Sequence, residues 1–253
     1  MIEEPYRWVE AIANRREYIE MQLASGSPII ALGYADGIVL LTVGRHKLFE
    51  IYDRIALGAI GHPGDIERLR MAAIELASTE GFTRAAADVS LRRLAYYSLS
   101  PVMKNAFEQI YGAPFLARLL FAEIGATPAD DLFFRVEYDG AITVKQSKEE
   151  ESPFAVLSGS QGSAEQMEEF LRKEHRTDEA LSTALELALD AWTLGQSGAT
   201  GTNEIPSREQ LRELRRERLG NSIVEAAVLE RQSRLAVRYR ALNESDLAKL
   251  EQR

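Results

Sequence analysis

The chain has 253 residues, of which 45% are hydrophobic and 27% are charged, and its formal net charge at pH 7 is -9. This length allows one large domain or two small ones, and the ordinary apolar fraction excludes disorder as the main state. The chain contains no cysteine, which excludes disulfide scaffolds, cysteine nucleophiles and thiolate metal sites, and its acidic charge argues against nucleic-acid binding.

The first half of the sequence predicts a helix, four strands and two further helices. Asp36-Gly37 between two strand-like runs is a strong hairpin signal, and a second strand pair turns at Asp53-Arg54. Helical periodicity then returns twice; in the second of these helices Asp88 would cap the start and Pro101 would kink the chain. The helices are predicted at 5–24, 65–79 and 88–111, and the strands at 29–34, 38–43, 48–52 and 55–60.

The second half predicts four strands, a helix pair, a charged helix, two strands and a last helix. Asp139-Gly140 marks another hairpin. Ser207 and Gln210 have the spacing of a capping box. The charged helix that they open has few apolar positions, so we expect the segment 195–220 to be an inserted surface element rather than part of the core. The strands are predicted at 115–124, 132–138, 141–145, 154–157, 223–229 and 235–239, and the helices at 164–173, 178–194, 207–220 and from 245.

Pairs of helices thus alternate with groups of antiparallel strands, which argues against a parallel sheet built from βαβ units. Two stacked sheets, each with a helix pair over its outer face, would bury every apolar face. We therefore predict an α+β fold, a four-layer αββα sandwich formed by residues 1–253 as one domain. His46, His62 and His175 are scattered, so neither a metal site nor a cofactor is predicted. No apolar run approaches the ~18 residues of a membrane span, and the acidic start lacks signal-peptide features, which together predict a cytoplasmic protein.

Two stretches, Ile30–Leu41 and Lys47–Gly61, resemble the opening strands of proteasome subunits, in which a first hairpin leads through a basic loop to a strand pair headed by a lysine. The resemblance continues through 65–70, 138–140 and 222–229, and it is strongest for the α-type subunits of bacterial, actinobacterial-like core particles. It implies the αββα fold of the N-terminal-nucleophile hydrolases, in agreement with the pattern of predicted helices and strands.

The resemblance also bears on catalysis. The β-type subunits of this family are peptidases that use an N-terminal threonine freed from a propeptide, whereas the α-type subunits are not peptidases. The threonine position corresponds to about Ile29 and its acidic partner to about Arg45, so only the lysine is retained, as Lys47. This implies a non-catalytic subunit of a threonine-protease complex. The alternative is an active hydrolase that uses Ser27 after removal of residues 1–26, although the offset of two positions argues against it.

By resemblance, seven copies of the chain would form the outer ring of a core particle, scaffold a ring of β subunits and admit unfolded protein substrates. Lys47 would bind the C-terminal carboxylate of a ring-shaped ATPase activator through a charge-assisted hydrogen bond. The alternative for Lys47 is an ordinary surface lysine at the start of a strand. A further alternative for the whole chain is a stand-alone ring protein without a protease partner.

The N-terminal segment 1–28 resembles the extra helix of α-type subunits with a short stretch before it. In the family, the residues before that helix converge on the ring axis as a gate, which here implies Met1, Ile2, Glu3 and Glu4. Repulsion among the glutamates around a ring would limit closure of this gate. The alternative is an ordinary frayed terminus.

Overall fold

The computed structural model describes residues 5–109, 111–146, 153–197, 206, 208–220 and 222–251. Over these ranges the chain forms two five-stranded sheets. The helices are α1 (Pro5–Leu23), α2 (Pro63–Thr83), α3 (Leu91–Leu94), α4 (Ser100–Glu108), α5 (Gln161–Glu174), α6 (Leu181–Ser197), α7 (Arg208–Leu219) and α8 (Glu244–Glu251). The strands are β1 (Ile29–Tyr34), β2 (Gly37–Val43), β3 (Leu48–Tyr52), β4 (Ile55–Gly61), β5 (Ala117–Glu123), β6 (Leu132–Val136), β7 (Ile142–Gln146), β8 (Phe154–Leu157), β9 (Val224–Glu230) and β10 (Tyr239–Ala241).

All neighbouring strands in both sheets are antiparallel. The first sheet, called sheet I, has the order β10-β9-β2-β1-β8, and the second, called sheet II, has the order β3-β4-β5-β6-β7. The predicted hairpins are confirmed: Tyr34 pairs with Gly37 across the first turn, and Tyr52 pairs with Ile55 across the second. In the third hairpin, Gly140 has a φ of 81°, a backbone conformation that favours glycine.

Three apolar layers separate the four layers of the sandwich, and the side-chain alternation of strands produces them. In β1, Ile30 and Leu32 pack with α5 and α6 on the outer face of sheet I. Their neighbours Ile29 and Ala31 point the other way, into the layer between the sheets. A third layer joins the outer face of sheet II to α2, α3 and α4. All six residues of β1 are buried because both of its faces are covered. The predicted αββα sandwich is confirmed.

Some predicted helix ends differ from the structure. The helix expected at 88–111 begins at α3, where the side chain of Ser90, and not that of Asp88, caps the first turn. A π-helical turn at Ala95–Leu99 precedes Pro101, so the helix widens where a proline kink is predicted. Helix α2 continues past Gly81, where a side chain would overlap the Tyr52 hydroxyl; this glycine allows close packing rather than ending the helix.

The surface location predicted for the charged helix α7 is wrong for one of its faces. Leu211 is fully buried in the apolar layer of α5, α6 and sheet I. Arg215 is also buried and forms an ion pair of 3.5 Å with Asp190 of α6. The rest of the predicted insertion, at 198–205 and 207, lies outside the described residues. The strand predicted at 235–239 is replaced by β10, because only Tyr239–Ala241 pairs with β9.

Candidate functional site

The candidate site lies where the chain passes from sheet I to sheet II. The loop between β2 and β3 contains Gly44, with a φ of 139°, and His46, with a φ of 56°. The Gly44 amide donates to the carbonyl of Ile223 at 2.9 Å, which fixes the start of the loop to sheet I. Lys47, the last residue of the loop, accepts a hydrogen bond at its carbonyl from the Ala59 amide at 3.0 Å, which fixes the end of the loop to sheet II.

The side chain of Lys47 folds back over Gly44. A Cβ atom at Gly44 would lie 2.8 Å from the Lys47 Cε, so the glycine provides the space for the lysine stem. Burial lowers the pKa of Lys47, and the charge of Glu225 partly opposes this shift. Lys47 forms no ion pair with any carboxylate of the described residues. The site is therefore a half-buried ammonium group with capacity for an external anion.

Glu225 lies beneath this loop, on β9. Its Oε2 accepts the Lys47 amide at 3.0 Å and its Oε1 accepts the Leu48 amide at 3.2 Å. Ala227 and Leu229, at alternate positions of the same strand, point into the layer between the sheets, and Glu225 lies at the end of that row. The acidic residue that the resemblance leads one to expect near Arg45 is thus absent there, and a remote strand supplies a carboxylate to the backbone.

The position expected for a nucleophile is occupied by hydrocarbon. Ile29 is fully buried and lies in the same apolar layer as Leu48, the residue after Lys47. The structure therefore brings the two predicted positions, Ile29 and Lys47, to the same end of the sandwich. Arg45 is exposed in the loop. A buried isoleucine cannot attack a peptide bond, so the position expected for the nucleophile carries none.

Ser27, the alternative nucleophile, has a different environment. It is partly buried between α1 and β1, and its Oγ accepts a hydrogen bond from the Trp192 Nε1 at 2.9 Å. In the part of the chain that the structure describes, no titratable side chain shares a hydrogen bond with it. The hydroxyl links the end of α1 to α6.

Helix α1 is held against the end of the sandwich by a buried arginine. Arg118 donates to both carboxylate oxygens of Glu20 in α1 at 2.7 Å, and to Glu137 at 2.7 Å. It also donates to the carbonyls of Ser158 and Gly159 at 3.0 and 2.9 Å. Burial alone would lower the pKa of Arg118, but the two carboxylates outweigh it and raise the pKa. The guanidinium is therefore charged and joins α1 to both sheets.

A second arginine of α1 caps another helix. Arg15 donates to four carbonyls at and beyond the C-terminus of α4, those of Ala106, Phe107, Gln109 and Gly112. The last turn of a helix leaves its carbonyls without partners inside the helix, and Arg15 supplies donors to two of them, those of Ala106 and Phe107. The predicted gate residues, 1–4, lie outside the described residues.

The cleft beside α1 is lined by charged side chains that form ion pairs with one another. It has a volume of about 480 Å³ and is lined by the hairpin of β6 and β7 and the start of α5. Its cations are matched by carboxylates of the same chain: Arg16 pairs with Asp139 at 3.1 Å, and Arg135 pairs with Glu137 at 3.2 Å.

Within the described ranges, no three acidic or histidine side chains come together as a metal site. None of the described helices has the length and apolar character needed to cross a membrane.

Comparison with known proteins gives a consistent set of relatives, although no protein family model matches the sequence. The chain is 34% identical over 197 residues to the proteasome subunit alpha of Parafrankia sp. (strain EAN1pec), a match that covers 74% of each chain. It is 34% identical over 205 residues to the proteasome subunit alpha of Streptomyces griseus, covering 78% of this chain and 70% of the relative. For the proteasome subunit alpha of Kineococcus radiotolerans the identity is 30% over 210 residues, covering 78% and 81%.

Proposed function

Because the chain belongs to the proteasome α-subunit family, we propose that it forms the outer ring of a core particle and contributes no active site of its own. In this proposal, seven copies assemble by head-to-tail contacts, scaffold a ring of β subunits and admit unfolded proteins to the proteolytic chamber. The observation that carries the proposal is the pairing of a retained lysine with an aliphatic residue where a nucleophile would lie: Lys47 is present, and Ile29 is fully buried.

The absence of an active site follows from chemistry. Peptide hydrolysis by this fold needs a nucleophile and a group that accepts its proton. Ile29 provides no nucleophile. Ser27 lies two positions before the expected place, its hydroxyl accepts the Trp192 indole N–H, and its own amine would become a base only after removal of residues 1–26. No specific observation favours the Ser27 hydrolase, so we retain the scaffold function alone.

Lys47 is the proposed docking residue for the activator. A C-terminal carboxylate approaching its ammonium would form a charge-assisted hydrogen bond, which is about twice as strong as a neutral one. The half-buried position strengthens this attraction, because the effective dielectric constant near the loop is below that of water. The Gly44 space and the two backbone anchors of the loop hold the lysine in place.

Entry of substrate is proposed to be controlled by residues 1–4 at the ring axis. The anchoring of α1 through Arg15 and Glu20 supports a fixed platform from which such a segment would emerge. With Glu3 and Glu4 repeated around the ring, like charges would oppose tight closure. Removal of residues 1–6 is then expected to raise the unstimulated entry of peptides.

The test is co-expression with a proteasome β subunit from the same organism, followed by electron microscopy and peptide-hydrolysis assays with and without a ring ATPase. We expect a seven-fold cylinder whose peptidase activity the ATPase stimulates. Lys47→Ala should abolish the stimulation while the rings still assemble, because it removes the carboxylate partner. Lys104→Ala is the matched control, since this lysine is exposed on α4 and lies outside the loop; its stimulation should equal that of the wild type.

Three outcomes would contradict the proposal. Unchanged stimulation of Lys47→Ala would remove the docking function. Rings without any peptidase activity in the presence of the β subunit would favour the stand-alone ring protein. An intact mass that shows loss of residues 1–26 would favour the hydrolase that uses Ser27.

A further inference from the structure

The backbone of Lys47 is held from both sheets. Its carbonyl accepts a hydrogen bond from the Ala59 amide of sheet II. Its amide donates a hydrogen bond to the carboxylate of Glu225, which lies in sheet I. Lys47 immediately precedes β3, the edge strand of sheet II, and Leu48 is the first residue of that strand. The carboxylate of Glu225 accepts both amides where the chain enters this strand.

The placement of Glu225 follows from the register of β9. Glu225 pairs with Thr42 of β2, and Val224 pairs with Val43, which leads directly into Gly44. The carboxylate therefore comes from the strand next to the one that carries the loop, at the same level of the sandwich. A one-residue shift in this register would turn Glu225 to the opposite face of sheet I, so its contact with Lys47 depends on the fold and not on the local sequence.

The two hydrogen bonds use both carboxylate oxygens of Glu225. The carboxylate thus lies close enough to Lys47 to favour its charged form, but it binds the backbone, and no ion pair forms with the ammonium. A direct ion pair would occupy the ammonium and would have to be broken before another carboxylate could bind. In the structure the negative charge of Glu225 lies near the loop, and the ammonium group of Lys47 stays available to another carboxylate.

We propose that Glu225 is a positioning residue for the carboxylate-binding site at Lys47: it fixes the backbone of the lysine at the sheet edge and leaves the ammonium open to a carboxylate from another chain. This inference rests on the docking function proposed for Lys47. The carboxylate of Glu225 touches neither the activator nor the ammonium, and it acts through the lysine that it holds.

Glu225→Gln is the variant that tests this assignment. A glutamine side chain keeps the size but has one carbonyl oxygen for two amide donors, and its NH₂ group would face the second donor. One of the two hydrogen bonds from the backbone amides to the carboxylate is therefore lost, and Lys47 becomes less ordered. Because a hydrogen bond to a charged group contributes more than one between neutral groups, we expect the ATPase concentration for half-maximal stimulation to rise about tenfold. The maximal stimulated rate should be unchanged, because the chemistry takes place in the β subunits.

The matched control is Glu230→Gln, which makes the same change at the other end of β9, where the carboxylate pairs with Arg240 on the surface. It should leave the half-maximal ATPase concentration at the wild-type value. In the double variant Lys47→Ala with Glu225→Gln, stimulation should equal that of Lys47→Ala alone, because Glu225 acts only through the lysine.

A second measurement does not depend on the ATPase. Competitive labelling with trace acetic anhydride over a series of pH values, read by peptide mass spectrometry, reports the pKa of each of the six lysines. Glu225→Gln should lower the pKa of Lys47 and leave that of Lys104 unchanged. Glu225→Asp keeps the charge but has a shorter side chain, so it should retain the wild-type pKa of Lys47 and weaken docking of the ATPase. This variant also tests the positioning function if Glu225→Gln fails to assemble.

The two measurements separate the two hypotheses. If Lys47→Ala leaves stimulation unchanged, the docking function fails, whereas the labelling result still decides whether Glu225 governs the lysine. If Glu225→Gln leaves both the labelling of Lys47 and the half-maximal ATPase concentration unchanged, the positioning function is overturned.

Discussion

Replacement of the buried Arg118 by methionine would remove one of the connections between α1 and the sheets, the one that joins it to both. Methionine is unbranched and of similar length, so it fills the space of the arginine stem and the loss reflects the polar contacts. Without the guanidinium, Glu20 keeps the hydrogen bond from the Tyr138 hydroxyl and Glu137 keeps the ion pair with Arg135, but both lose their contacts with Arg118. The carbonyls of Ser158 and Gly159 lose the donor that Arg118 provides.

The loss of unfolding free energy depends on how well water can hydrate the carboxylates of Glu20 and Glu137 once the guanidinium is gone. The side chain of Arg118 is 9% exposed, whereas those of Glu20 and Glu137 are 41% and 23% exposed. Removal of one partner from a buried ion pair costs about 3–5 kcal/mol. Because both carboxylates can gain water, we expect the lower end, about 3 kcal/mol of unfolding free energy. For a domain of this size this corresponds to a melting temperature lower by about 6–12 °C.

Calorimetry at matched protein concentration measures this loss, and limited proteolysis between α1 and β1 shows whether the helix detaches. Arg118→Lys should give an intermediate loss, because it keeps the charge but cannot reach all four acceptors. Lys173→Ala, which breaks an exposed pair with Glu169 within α5, should leave the melting temperature unchanged. A loss below about 1 kcal/mol for Arg118→Met, where about 3 is expected, would refute the claim that this arginine holds α1.

Other predictions test the loop, the buried tyrosines and the absence of a nucleophile. Gly44→Ala should displace Lys47 and reduce ATPase stimulation, whereas Gly162→Ala, where a Cβ meets nothing within 4 Å, should not. Burial, aided by nearby carboxylates, raises the pKa of Tyr34 and of Tyr239 to about 12. Stabilisation from these groups is therefore complete below about pH 10, the pKa in the unfolded chain, and is lost as the pH rises through the folded values; chemical denaturation over this range, with tyrosinate absorbance, checks the sign. The purified chain, free of β subunits, should resist labelling by epoxyketone and β-lactone probes, and covalent labelling would contradict a non-catalytic subunit.

Much of the fold could be predicted from local patterns. Continuous apolar runs indicate strands covered on both faces, and β1 and β2 are buried along their whole length. The wrong predictions concern features that distant partners decide. The three residues of β10 are a strand only because β9 lies beside them. Arg215 is charged and reads as a surface residue, but Asp190, on another helix, makes its burial possible.

The candidate site could be predicted only in part. Lys47 is identified by resemblance, since nothing in its immediate sequence distinguishes it from a surface lysine. Glu225 lies 178 residues away from it in the chain, and no motif joins the two. The alternation with Ala227 and Leu229 would have placed Glu225 on the inner face of its strand, but its partners depend on how the two sheets stack, which the sequence pattern does not specify.

The partial desolvation of Lys47 would make it suited to the carboxylate binding proposed above. Two opposite unit charges 4 Å apart attract by about 1 kcal/mol in water and by about 4 kcal/mol at an effective dielectric constant of about 20. A half-buried ammonium such as Lys47 therefore holds a carboxylate more firmly than an exposed lysine does, provided that no carboxylate of its own chain already occupies it. Glu225 meets that condition by binding the backbone amides and leaving the ammonium open. In the proposed ring the site would be repeated, and an activator with several tails would gain from each further contact, because the later contacts form at the high effective concentration set by the first. Loss of the single carboxylate at Glu225 would then weaken every site of the ring at once, and this predicts a steeper loss of activator binding than the same change at one site alone.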